Sequence, residues 1–372
     1  MRRILAAIAL VALAAPVAAQ SSSVSVGSGV FFQGYSFDDG LGVKAANLLM
    51  VPFATQVPIS SRVSGDVYTA YARGSALIGG TTHTLSGMVD TRVRLNVQAT
   101  PWALVTLGAN IPTGNATHTD SEARVAAVLA SDMLGFREAS WGLGAGFTTG
   151  VATAHHIGRT GVGLGVSYRL SSEFEPVADS SLKYTPGNEI RVRFGLDRNI
   201  AGNKLTGGVT FQNYSQDQVQ GRDLFQPGNR WRGDLAYSFR TGASAAWTLY
   251  AADIWREHGD VSIDITDQNG AILGDSTFST GTQNLLIGGL VGSVRLGSLS
   301  LAPSVDARMQ TRSLDGGEGW LVGAGTDVPL RAGSLDITPG GRLTFGQIQG
   351  DTPIYRNLLG GELSLSVRWG GR

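Results

Sequence analysis

Asp90-Thr91-Arg92-Val93-Arg94-Leu95-Asn96-Val97-Gln98-Ala99 reads as two interleaved columns. Asp90, Arg92, Arg94, Asn96 and Gln98 make a wholly polar column. Thr91, Val93, Leu95, Val97 and Ala99 make an almost wholly apolar one. Side chains along a strand point alternately to opposite faces, so this stretch predicts a strand with one wet face and one apolar face. The pattern recurs in Ile190, Val192, Phe194 and Leu196 against Arg191, Arg193 and Asp197, and in Leu235, Tyr237 and Phe239 against Asp234, Ser238 and Arg240. It closes the chain in Leu363, Leu365, Val367 and Trp369 against Glu362, Ser364, Ser366 and Arg368.

The composition agrees with an all-β chain. Gly supplies 52 of 372 residues, which suggests many tight turns. Charged residues are 16%, below the roughly 25% of an ordinary soluble domain, while hydrophobic residues reach 42%. The 29 basic and 29 acidic residues cancel, which argues against nucleic acid as a partner. With no Cys, disulfide scaffolds, thiolate metal sites and Cys nucleophiles are excluded.

The first residues read as an export signal. Arg2 and Arg3 precede an apolar run from Ile4 to Ala15. Pro16 breaks it, and Val17-Ala18-Ala19 offers the small residues of a cleavage site. Residues 1–19 are therefore expected to be a cleaved signal peptide, with 20–372 forming one domain. No later apolar run is long enough for a membrane helix.

The alternation predicts strands near 24–37, 43–55, 61–73, 84–99, 102–111, 140–153, 160–173, 188–199, 204–217, 229–240, 244–257, 282–296, 299–312, 319–330, 334–347 and 356–369. That makes sixteen. Fourteen result if two segments such as 43–55 do not span, and eighteen if Val261 to Phe278 is counted. That last stretch reads as a hairpin outside the membrane, turning at Asn269-Gly270. Many of these segments reach the length a tilted strand needs to cross a bilayer, about 9–11 residues. Short connections such as Thr100-Pro101 and Gly297-Ser298 alternate with long ones at 112–139, 174–187, 218–229 and 258–281. That alternation predicts a single transmembrane antiparallel up-and-down β-barrel. Trp102, Trp141, Trp231, Trp247, Trp255, Trp320 and Trp369 all fall near expected strand ends, where indoles suit a membrane–water interface.

These Gly-rich alternating strands, the signal segment and the aromatic Trp369 resemble bacterial outer-membrane β-barrels across the whole mature chain. The resemblance is greatest to porins and channel-type transporters, including barrels associated with uptake of aromatic compounds. The last strand resembles the C-terminal insertion signal of that class, except that Gly370-Gly371-Arg372 follows the aromatic. The resemblance implies outer-membrane localisation, with the lipid bilayer, the outer-membrane assembly machinery and small solutes as partners. The number of copies in an assembly is left open.

A barrel of this size is expected to enclose a polar interior. Of the 29 basic residues only Lys44, Lys183 and Lys204 are lysines, so the lumen would be Arg-rich. Asp90, Arg92, Arg94, Arg191, Arg193, Asp197, Asp234, Arg240, Asp306, Arg308, Arg312, Glu362 and Arg368 sit on expected inward faces as pore-lining candidates. Such charges set selectivity in a pore or brace its wall as ion pairs. Thr119 and Glu122 form a capping box, and Val125, Val128, Leu129 and Met133 follow at helical spacing, which predicts a helix near 120–134 ended by Gly135. In porin-type barrels the third external loop narrows the pore. The resemblance therefore implies that 113–138 is a constriction loop with Asp120, Glu122, Arg124 and Asp132 facing the lumen. The alternative is a surface helix at the rim.

Catalytic and cofactor chemistry is not predicted. His118 and Asp120 are near each other without a partnered nucleophile, and His155-His156 sits in an expected turn where neighbouring side chains diverge. Asp267 to Gly270 lacks the further oxygen ligands of a calcium loop. The expected function is passage of small solutes across an outer membrane. The alternatives are a barrel hydrolase and a plugged structural or adhesive barrel.

Overall fold

The computed structural model describes residues 24–266, 272–312, 317–350 and 354–370. The expected signal segment 1–19 and the Asn269-Gly270 turn lie outside them.

Sixteen strands follow one another along the chain: β1 (Ser25–Phe37), β2 (Val43–Ser60), β3 (Val63–Ile78), β4 (Thr81–Met88 continued by Thr91–Thr100), β5 (Ala103–Ile111), β6 (Gly146–Ile157), β7 (Thr160–Ser171) and β8 (Glu189–Ile200). Then come β9 (Asn203–Tyr214), β10 (Arg230–Arg240), β11 (Ala245–Arg256), β12 (Gln283–Leu296), β13 (Leu299–Arg312), β14 (Gly319–Asp327 continued by Leu330–Ala332), β15 (Leu335–Gln349) and β16 (Tyr355–Gly370). Each pairs antiparallel with its chain neighbours. β1 closes the ring on β16, with Ser25 opposite Gly370 and Phe37 opposite Leu358. Closure leaves the sheet without a free edge, as a strand structure in lipid requires.

The apolar column of each strand faces outward. Phe32, Leu49, Val166, Leu249, Leu343 and Leu363 are exposed large hydrophobics of this kind. Such a belt around a closed barrel is stable only in a bilayer, where every backbone polar group is already paired within the sheet. Trp231 and Trp255, cross-strand partners, mark the loop end of the belt, and Trp102, Trp247 and Trp369 mark its turn end. No described helix is long and apolar enough to cross a membrane.

Strand β4 contains a bulge. Tyr71 faces Met88 and Tyr68 faces Arg92, so the two intervening residues of β3 oppose three on β4. The extra residue inverts the face of every side chain beyond it. Leu85 points inward before the bulge and Arg92, Arg94 and Asn96 after it, each opposite an inward residue of β3. In β14 the break falls at Val328-Pro329, opposite Pro339 of β15, and a proline has no N–H to give the ladder.

Several expectations need correction. The strand expected at 140–153 starts at Gly146, because 141–145 belong to the loop that precedes it. Trp141 is therefore not an interface residue. It is wholly buried inside the barrel, and its indole N–H donates to Ala72 O at 3.0 Å. His155-His156 ends a strand instead of making a turn. Glycine does more than turn the chain. Gly79 and Gly80 make the two-residue β3–β4 turn at positive φ, whereas Gly161, Gly163 and Gly165 lie within β7. The external loops are not uniformly long, since 38–42 and 79–80 are short.

At the loop end, three long loops join in a second sheet. Its strands are Tyr184–Thr185, Asp217–Val219, Arg222–Gln226, Asp260–Thr266 and Ile272–Ser279. The Tyr184 hydroxyl donates to Asp217 Oδ2 at 2.5 Å and ties two of these loops together. Burial, and then the partnering Asp217 carboxylate, push the Tyr184 hydroxyl pKa upward.

Candidate functional site: a lumen divided by its third loop

The third connection at the loop end, residues 112–145, turns into the barrel. Its anchor is Asp90, beside the β4 bulge. Asp90 Oδ1 accepts from Gly114 N–H at 3.0 Å, and Oδ2 accepts from Leu143 N–H and Asn110 Nδ2, both at 2.8 Å. One buried carboxylate therefore clamps both stems of the loop. Asp90 is 3% exposed, so it does not line a pore as expected from the sequence.

The loop helix α1 runs from Asp120 to Leu129, shorter than the expected 120–134. Ala130 caps it, and Gly135 belongs to the descending chain beyond. The capping box is present: Thr119 Oγ1 accepts from Glu122 N–H, and Glu122 Oε2 accepts from Thr119 N–H at 2.9 Å. Glu122 is thus committed to its own helix end instead of facing the lumen. Asp120 and Arg124 lie on the exposed flank of α1. Val125 and Leu129 are completely buried and face Gly74 of β3. Small residues make the recess here: Ala46 on β2, and Ala70, Ala72, Gly74 and Ala76 on β3.

Past the helix the chain crosses the lumen. Tyr35 of β1 donates to Leu134 O at 2.8 Å, and Phe136 meets the Tyr35 ring edge-on. Arg308 of β13 donates to Met133 O and Leu134 O at 3.3 and 3.2 Å. Arg137 pairs with Glu362 of β16, and its guanidinium lies 4.1 Å above the Phe31 ring. Asp132 reaches Arg256 of β11 at 3.8 Å, and Glu138 comes to 4.0 Å from Arg92 of β4. The loop thus contacts the wall from β11 round through β1 to β4. This half of the interior is a packed apolar core, in which Phe31, Tyr35, Leu48, Met50, Leu285 and Leu321 join the loop residues. The uniformly polar lumen expected from strand alternation is corrected accordingly. In 46–54 both columns are largely apolar, and in 31–37 the inward column carries Phe31, Tyr35 and Phe37, and that was the available signal.

The opposite arc, β4 to β10, is open. It borders a cavity of about 760 Å³. Its wall is low because inward positions are small: Gly150, Ala152, Gly161, Gly163, Gly165, Ser167 and Gly195. Above that floor stand five arginines, Arg94, Arg191, Arg193, Arg230 and Arg232, with Asp197 and Asp234. Arg193 makes a two-pronged pair with Asp234, at 2.9 and 3.0 Å, and adds Thr210 at 2.8 Å. Arg94 pairs with Asp66 at 2.9 Å, Arg191 with Glu189 at 2.6 Å and Lys204 with Asp197 at 3.7 Å.

The remaining candidates divide between the two halves. Asp306 is buried and pairs with both Arg342 and Arg308 under the loop. Arg312 lies at the loop end of β13, while Arg240 and Arg368 are exposed at the turn end. Sequence reading missed Arg137, Glu138, Arg230, Arg232, Arg256 and Arg342. Arg137 and Glu138 were assigned to the loop without a role, although a charged pair at the end of an apolar loop segment is a docking signal. Among the described residues, no three His, Cys, Asp or Glu gather for a metal. His118 Nδ1 is buried without a hydrogen-bond partner, so no carboxylate orients it as in a triad.

The closed sixteen-strand register and the apolar outer belt make this a transmembrane β-barrel with one loop folded into its lumen. No family model and no curated protein matches the chain. Solved barrels resemble it at low identity. A mutant of the Rh. blastica porin is 14% identical, aligning 94% of this chain with 100% of that one at a TM-score of 0.39. A loop-deleted OmpT, an outer membrane protein of Vibrio cholerae, is 9% identical over 94% and 99% of the two chains, at 0.43. CdiB from Acinetobacter baumannii is 11% identical over 92% and 60%, at 0.46. At these scores the likenesses add nothing to what the register already shows.

Proposed function

We propose that the protein is an outer-membrane channel for small hydrophilic solutes, exported by its N-terminal segment and inserted by the outer-membrane assembly machinery. One observation carries this reading: the third loop fills only one half of the lumen and leaves the other half as an open cavity bordered by arginines and aspartates. A plug would have to cover the arc from β5 to β10 as well. In the open half, Arg94, Arg191, Arg193, Asp197 and Asp234 act as lining residues whose ion pairs also brace the wall. In the filled half, Arg92, Asp306, Arg308 and Glu362 hold the loop. Asp132, Arg137 and Glu138 then set the width of the passage, while Asp120, Glu122 and Arg124 belong to the helix and not to the constriction.

Planar-bilayer recording of the full chain, folded in detergent, tests the reading. Stepwise conductance that scales with salt supports it. A folded, inserted barrel that passes no current contradicts it and favours a barrel closed by its own loops.

A further inference from the structure

At the loop end of the open arc, six inward residues stand in one cross-strand row. Arg191 of β8 faces Gln212 of β9, Gln212 faces Arg230 of β10, and Arg230 faces Arg256 of β11. Arg256 faces Gln283 of β12, which faces Arg312 of β13. Four guanidiniums and two amides thus form a band of hydrogen-bond donors across six adjacent strands. Arg191, Gln212 and Arg230 border the open cavity.

The carboxylates facing this band are few. Glu189 takes Arg191 at 2.6 Å and Gln212 Nε2 at 2.8 Å, and Asp132 reaches Arg256 at 3.8 Å. Among the described residues Arg230 has no carboxylate within ion-pair distance, and it stands directly opposite Arg256. Like charges directly opposite on neighbouring strands repel. Strands lie about 4.8 Å apart, so Arg230 and Arg256 are spaced to grip the two sides of one tetrahedral oxyanion. Arginine's planar fork favours such an anion through paired N–H donors.

We propose that Arg230 and Arg256, flanked by Gln212 and Arg191, form a binding site for a small multivalent oxyanion of the phosphate class. Resting on the channel reading, the inference names the solute class that this mouth concentrates. The bound anion would relieve the Arg230–Arg256 repulsion and sit where the cavity opens toward the loop end. A monovalent halide could contact one guanidinium at a time and would be held far less tightly.

Titration calorimetry with inorganic phosphate on the full chain folded in detergent tests the site, at fixed ionic strength in sodium chloride. The inference predicts saturable binding to the wild type. Arg230→Gln keeps polarity but loses a charge-assisted contact, so its affinity should fall at least about tenfold. Arg331→Gln removes an exposed charge at the turn end and should bind as the wild type does. Absence of saturable binding by the wild type overturns the inference, as does equal affinity in Arg230→Gln. Binding is read without current, so a barrel that conducts but does not bind phosphate refutes only this site. One that binds but does not conduct refutes only the channel reading.

Discussion

Leu129 occupies the space that a side chain on Gly74 would need. A β-carbon on Gly74 would collide with Leu129 Cδ1 and stand 3.1 Å from the Trp141 ring. The missing side chain on the wall and the buried leucine on the loop are two halves of one fit, and they decide which side of the lumen stays open.

Gly74→Val should therefore release the loop without opening the barrel. Overpacking costs typically 1–3 kcal/mol, and the loop can leave while the strand ladder cannot. The Arg137 side chain is 6% exposed and pinned by Glu362, so trypsin should spare it in the folded wild type. Gly74→Val should be cut at Arg137 while still running as a folded barrel on an unheated gel. A loop as resistant as the wild type's would show that the recess does not seat it.

Asp90→Ala should loosen the same loop from its stems. It leaves the Gly114 and Leu143 N–H groups without their acceptor, at about 1–3 kcal/mol for each buried group left unpaired, while the Asn110 amide keeps Gly144 O. Asp90→Asn keeps the acceptor oxygen and should be milder. Amide exchange of Gly114 and Leu143 reads the difference, and unchanged protection in Asp90→Ala would refute the clamp.

Acid should weaken the junction between the third and fourth loops. There the His118 N–H donates to Pro176 O at 3.0 Å, and Ala178 N–H donates to His118 O at 2.8 Å. Burial lowers the His118 pKa, against the opposing pull of Glu122. The unfolded junction then binds a proton more readily than the docked one. Its stability is complete above the ordinary histidine pKa of about 6.5 and declines as the pH falls below it. The protection factor of Ala178, taken relative to the base-catalysed intrinsic rate, should fall between pH 7.5 and 5.5, and His118→Gln should remove that dependence. Equal pH dependence in both would contradict the assignment.

The outer belt makes a further prediction. Leu249 is exposed midway along β11, facing away from the lumen. Leu249→Arg should cost about 2–4 kcal/mol near the bilayer midplane. Urea titration in lipid vesicles measures it, and a midpoint equal to that of Leu249→Ala would mean that the face is not in lipid.

The barrel was legible in the sequence because period two is a local property. Columns such as Ile190 to Leu196 against Arg191 to Asp197 specify faces without knowledge of any partner strand. The helix was legible for the same reason, through Thr119 and Glu122. The divided lumen was not, because it depends on contacts between distant segments. Gly74 gains its meaning only from Leu129, and Asp90 only from Gly114 and Leu143. The β4 bulge likewise adds one residue that no period count separates from register. The arginine row was hidden because Arg191, Arg230, Arg256 and Arg312 lie on four strands, and only pairing brings them level.

The most direct test of the divided lumen uses the absence of cysteine in the chain. Ser167 lies on the wall of the open half, and Ala72 lies fully buried beneath the loop. Single-channel current is recorded from Ser167→Cys and Ala72→Cys barrels while a bulky charged thiol reagent is added. The account predicts that Ser167→Cys reacts and its current drops, while Ala72→Cys stays unmodified unless Gly74→Val is also present. Rapid modification of Ala72→Cys with loss of current, and an inert Ser167→Cys, would contradict it.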